Sequence, residues 1–120
     1  MTPFTAADPT RDTSADTSAE EYARAQLFFD SSAYADAALI LAPLVAAEPG
    51  NLAARLLLAR SYYHSAQLNR AAAELHRILA QDPAEDYAHL MLGRTLQRQG
   101  RPAEARSHLR LAAAMTDSAA

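Results

Sequence analysis

No cysteine, tryptophan or lysine occurs among the 120 residues of this chain. Without cysteine there is no disulfide, no thiolate nucleophile and no zinc–thiolate site. The only glycines, Gly50, Gly93 and Gly100, are too scattered for a phosphate-cradling loop. Each reads as a turn or a close helix contact. His64, His76, His89 and His108 fall in different predicted helices with no metal-ligand spacing. No metal, cofactor or catalytic role is therefore expected. Long apolar runs are also missing: the longest uncharged run of the fold, Ala37 to Ala47, covers 11 residues and is interrupted by Pro43. A membrane span needs about 20 residues. The start of the chain has no basic patch followed by an apolar stretch, so no secretory signal is expected and the protein is read as cytoplasmic.

What remains is rich in alanine, the best helix former. That excess, together with the use of Arg for every basic residue, fits a GC-rich coding bias. At 120 residues the chain allows one domain with a modest core. The net charge is −3, but it is unevenly spread. Residues 1–50 hold two Arg against eight acids, a balance of −6, whereas residues 51–115 hold nine Arg against five acids, a balance of +4. Such a dipole favours an acidic ligand on the C-terminal half or head-to-tail self-association.

The strongest signal is a repeat of 34 residues. Ala37-x3-Leu41, Ala71-x3-Leu75 and Ala105-x3-Leu109 share it, as do Leu44, Ile78 and Ala112, and the prolines Pro49 and Pro83. Earlier in each unit stand Arg24-Ala25-x2-Phe28, Leu58-Ala59-x2-Tyr62 and Leu92-Gly93-x2-Leu96. This is the pattern of a helix–turn–helix repeat, a stacking unit that carries no inherent chemistry.

Residues 1–17, rich in Thr, Ser, Pro, Asp and Ala, read as a disordered tail. Ser18-x-x-Glu21 reads as a capping box that opens a first helix at about residues 19–30. A second helix follows Ser31-Ser32 and ends before Pro49-Gly50, with Pro43 predicted to kink it at roughly 3 kcal/mol. Asn51 caps a third helix over 52–64, and a fourth covers 69–81. Asp82 with Pro83 predicts the start of a fifth, which runs to about 99. Gly100 stops it, and Pro102 opens a sixth that ends near Met115.

On these residues the chain resembles a set of three tetratricopeptide repeats, over 18–51, 52–85 and 86–119. It departs from that family at the large early aromatic, replaced by Glu21, Arg55 and His89, and at the third closing proline, replaced by Asp117. Phe28, Tyr62 and Leu96 are then expected to fill the space. The resemblance implies an all-α fold, a right-handed superhelical stack of three antiparallel helix pairs. It also implies that one face of each first helix lines a concave groove that holds a peptide.

Mapped onto this sequence, the implied groove has an apolar base of Tyr22, Phe29, Leu56, Leu57, Tyr63, Tyr87, Leu90 and Met91. A polar ladder of Gln26, Arg60 and Arg94 rises through it, and His64 and Arg98 form a second pair of rungs after Asp30. Arg grips carboxylates bidentately, so a partner protein or peptide with apolar and acidic residues is expected, held by a non-enzymatic adaptor or scaffold. The alternatives are plain packing between repeats, notably by Leu57 and Met91, and occupation of the groove by the chain's own tail or a second copy. A homodimer or self-assembling subunit through an uncapped sixth helix is the rival function. RNA binding is disfavoured by the acidic balance. Family members that grip the acidic tails of Hsp70 and Hsp90 use a Lys, Asn and Arg clamp. Its equivalent places here hold Tyr22, Gln26, Leu57, Tyr87 and Met91, so that subtype is disfavoured.

Overall fold

The computed structural model describes residues 14–119, which form six helices. They are α1 (Ser14–Asp30), α2 (Tyr34–Ala47), α3 (Leu52–His64), α4 (Leu68–Gln81), α5 (Asp86–Arg98) and α6 (Pro102–Ala119). Each helix packs on the next, and the first helices α1, α3 and α5 also touch in succession. The architecture is the expected all-α stack of three helix pairs. Most of the tail expected over 1–17 lies outside the described residues.

Within each pair the axes approach over small residues. Ala25 and Ala37 are fully buried, as are Ala59 and Ala71, and Ala105 lies beneath Gly93. A Cβ on Gly93 would come within 2.6 Å of the Leu109 side chain, so this pair meets more tightly than its two predecessors. Leu41, Leu75 and Ile78 fill the remaining space. α3 is shared between units: Ala54, Leu57 and Leu58 join the core of the first pair, while Ala59 joins that of the second. The turn inside each pair places one residue in left-handed conformation at the same step, Ser32 (φ 63°), Ala66 (φ 60°) and Gly100 (φ 76°).

Several expected boundaries shift. Ser18 does not cap α1, because the helix is already formed at Ser14; its hydroxyl instead donates to Glu48. Asn51 Nδ2 donates to the same carboxylate, and these two bonds hold Glu48 below the usual carboxylate range. Asn51 also caps α3 as expected, accepting from the Ala54 amide. Asp82 does not open α5. It closes α4 and accepts from Ala84, while Glu85 accepts from Tyr87 at the true start. α6 runs on to Ala119 rather than ending near Met115. α2 continues through Pro43, and the carbonyl left without its donor belongs to the exposed Leu39, where water can serve it.

The early position of each first helix also differs from expectation. Arg55 and His89 are buried, and each is tied to the turn before its helix and to the second helix of its own unit. Arg55 Nη2 donates to the Pro49 carbonyl and Nη1 to Glu74 at 2.7 Å. His89 Nε2 lies 2.8 Å from the Pro83 carbonyl, and its Nδ1 lies 3.1 Å from His108 Nδ1. All four partners repeat at the 34-residue step. Phe28, expected to fill this space, is partly exposed instead.

A carbonyl only accepts, so His89 Nε2 carries a proton and, in the neutral ring, Nδ1 receives the bond from His108. Burial, His89 and His76 lower the pKa of His108 from 6.5, against the opposing pull of Glu104. A depressed histidine means that the unfolded chain binds more protons, so its stabilising effect is complete above about pH 6.5 and is lost as pH falls below that value. Thermal melts from about pH 7 to about pH 5 should show a falling Tm, with a shallower fall in His108→Gln. Equal slopes would exclude this pair as a cause.

The ion pair makes a second prediction. Glu74→Ala leaves the buried Arg55 charge with no carboxylate and should cost about 3 kcal/mol or more in urea unfolding, whereas Arg55→Leu with Glu74→Leu should cost much less. A smaller loss in the single variant than in the double would refute this account.

Candidate functional site

α1, α3 and α5 carry the candidate site on one side of the stack. Its centre is Arg60 of α3, whose guanidinium carbon lies 4.6 Å from the ring centroid of Phe29 in α1 and 5.9 Å from that of Tyr87 in α5. One cation of the second unit thus bridges aromatic residues of the first and third. Such contacts are worth roughly 0.5–1 kcal/mol at exposed sites and more when desolvated. The Nε of Arg60 is buried without a hydrogen-bond partner, so only its Nη groups could donate to a ligand.

A second cluster surrounds His64. Its ring stands 5.8 Å from Phe29, 5.4 Å from Tyr63 and 4.7 Å from Tyr34, the last nearly parallel. Arg98 covers Tyr63 at 4.7 Å and donates to the Tyr63 carbonyl. Desolvation first, then Arg60 and Arg98, hold the His64 pKa below 6.5, so the imidazole is neutral near pH 7. The positive charge of this face therefore comes from arginine.

Phe29, Arg60, Tyr63, His64, Tyr87 and Arg98 lie in one connected set of ring and guanidinium contacts. Arg94 is exposed on the same helix as Tyr87 and Arg98. Gln26 donates to Asp30, whose negative charge remains at the end of α1. Tyr22 and Leu56 are half-buried against the two cores. Leu90 lines a hollow between α5 and α6. Met91 and Leu57 are core residues, only 4% and 2% exposed, and so do not line a groove. Both pack where neighbouring units meet.

Tyr34 is the member that sequence reasoning missed. The repeat pattern places it only near the start of the second helix, and the turn after α1 is what folds its ring back onto Phe29 and His64. Its equivalents Leu68 and Pro102 are not aromatic, so the period carried no signal for it.

Charge pairing separates the arginines into two groups. Arg24, Arg55, Arg77 and Arg101 each lie within ion-pair distance of a carboxylate. Among the described residues Arg60, Arg70, Arg94, Arg98, Arg106 and Arg110 have no such partner. Of these, Arg60, Arg94 and Arg98 belong to the first helices α3 and α5. No described helix is long and apolar enough to cross a membrane.

Comparison with known proteins agrees with the architecture. The model of a family described as tetratricopeptide repeat matches residues 28–91 and again 65–120. No curated protein matches the chain. Among solved structures, a point mutant of MamA superposes with a TM-score of 0.78 at 20% identity, covering 83% of this chain and 73% of that one. The second repeat domain of Spaghetti (RPAP3), bound to the HSP90 peptide SRMEEVD, gives 0.76 at 18% identity, covering 82% and 91%. The Yersinia enterocolitica type III secretion translocator chaperone SycD gives 0.77 at 24% identity, covering 84% and 75%. Other MamA structures are longer, and this chain spans 55% to 62% of them. At these identities the likeness concerns the fold.

The geometry around His64 makes a direct prediction. In an NMR titration its pKa should lie below 6.5 and should rise towards the ordinary value in Arg60→Gln, which removes one of the two neighbouring charges. An unchanged midpoint in the variant would show that Arg60 is not aimed at this face.

Proposed function

We propose that this chain, which belongs to the tetratricopeptide repeat family, is a non-enzymatic protein-interaction module that holds an acidic, partly apolar partner segment against α1, α3 and α5. The observation that carries this reading is the placement of two arginines without carboxylate partners, Arg60 and Arg98, on the aromatic rings of Phe29, Tyr87 and Tyr63, with Arg94 exposed on α5. Packing of Arg60 between two rings restricts its rotamers before a ligand arrives, which lowers the entropy cost of capture. Arg60 and Arg94 would grip carboxylates, while Tyr63 and Tyr87 would supply contact area to apolar side chains.

The peptide in the RPAP3 structure, SRMEEVD, is itself rich in acidic residues, and its host shares this fold. That supports an acidic ligand as a class. It does not extend to the same sequence, because Leu57 and Met91 occupy two of the clamp positions and are buried. The partner recognised here should therefore be read through arginine and aromatic contacts along the segment, not through a clamp on a terminal carboxylate.

The test is fluorescence anisotropy with a synthetic peptide of alternating Leu and Glu, compared with its Leu and Gln counterpart. Hydrogen bonds to charged groups contribute about 1.5–3 kcal/mol, so Arg60→Glu with Arg94→Glu should weaken binding of the acidic peptide by at least about tenfold at unchanged helicity. Equal affinity in wild type and variant, or no preference for Glu over Gln, would defeat the proposal.

A further inference from the structure

Comparison of the three units at equivalent positions reveals which faces a longer stack would cover. Leu58 and Ser61 in α3, and Leu92, Thr95 and Leu96 in α5, are no more than 2% exposed. Their counterparts on α1 are Arg24, Leu27 and Phe28, of which Leu27 is 68% exposed. These three, with Ser31, line an open hollow on the outer side of the first unit. It is the face that a preceding unit covers in the other two.

The opposite end shows the converse. Val45 is buried and Leu79 half-buried, but Ala113 is exposed; Ala38 and Ala72 are buried, but Arg106 is exposed. Here Tyr87, Leu90, Leu109, Ala112 and Ala113 border a hollow of about 410 Å³, with Asp86 and Asp117 at its rim. This is the face that a following unit would cover.

The two faces are complementary in size and in charge. The receiving end has lost bulk: Leu44-Val45 and Ile78-Leu79 in the earlier units become Ala112-Ala113. The presenting face has gained it, since Ser61 and Thr95 correspond to Leu27. In the inner units those two hydroxyls bond back to Leu57 and Met91 carbonyls, which satisfies them without a partner. A leucine at that step has no such local role. The first unit, 18–51, carries one Arg and five acids, whereas the third, 86–119, carries five Arg and three acids. Opposite net charge favours meeting of unlike ends.

We propose that a second copy of this chain docks head to tail, with α1 of one molecule seated on α5 and α6 of the next. The incoming α1 takes the place against α6 that α3 takes against α2 and α5 against α4. Leu27 and Phe28 enter the hollow over Ala112, Ala113 and Leu109, and Arg24 faces the acidic rim. The contact is heterologous, so each assembly keeps one free face of each kind and grows beyond a dimer unless it closes into a ring. This contact lies apart from the arginines of the concave face.

Sedimentation velocity on the full chain tests this. Wild type should sediment faster as concentration rises. Leu27→Arg and Ala113→Arg, both at exposed positions, should each remain monomeric with unchanged helicity. Mixed together, they should form a one-to-one complex and nothing larger, because the mixture holds one intact face of each kind. Wild type that stays monomeric, either variant associating alone, or a mixture without the complex would overturn the proposal. Loss of association in Arg60→Glu with Arg94→Glu would also overturn it, by moving the contact to the concave face. Association that emerges only after deletion of residues 1–13 would overturn it too, by assigning the hollow to the chain's own N-terminal segment.

Discussion

The close approach of two helices over alanine in each unit is the constraint on which the rest depends. Ala25 against Ala37, Ala59 against Ala71, and Gly93 against Ala105 bring backbones near enough for Leu41, Leu75 and Leu109 to interlock with the facing helix. Interiors packed at crystal-like density tolerate little slippage, so these contacts set the rotation of each helix. Rotation in turn decides which side of α1, α3 and α5 is turned outward. Arg60 reaches both Phe29 and Tyr87 because three first helices are held at the same rotation and stacked in order.

Where the family has a large aromatic early in the first helix, this chain uses polar bridges. Arg55 with Glu74, and His89 with His108, each join a first helix to the second helix of its unit while also holding the carbonyl of the preceding proline. These bonds fix the position that ring packing would otherwise fix. They also shape the turns: with the Pro83 carbonyl committed to His89, α5 begins at Asp86, at the same step as α3 at Leu52. The first unit has Glu21 and Ile40 at the equivalent places and forms no such bridge. It is tied instead by Ser18 to Glu48.

The proposed ligand face and the proposed end contacts draw on largely different residues of the same helices, with Tyr87 common to both. On α5, Arg94 and Arg98 lie on the side proposed for the ligand, whereas Leu92 and Leu96 share a core with Leu75 and Ile78 of α4. Tyr87 and Leu90 lie where the face meets the C-terminal hollow. Occupation of that hollow would therefore be felt by the ring that brackets Arg60.

The 34-residue period alone determined the number of helices, their pairing and the identity of the small residues at each crossing, because only alanine or glycine permits that approach. It also placed most of the aromatic and arginine residues on a shared side, since helical periodicity is local. What the sequence could not rank was depth. Met91 and Leu57 occupy steps next to groove residues, and only the packing of one unit on the next buries them. Likewise Tyr34 joins His64 through a turn, Arg55 and His89 find partners 19 residues away, and Leu27 is open where Ser61 and Thr95 are closed. Each of these depends on which unit lies alongside, a relation between distant segments that no local pattern encodes.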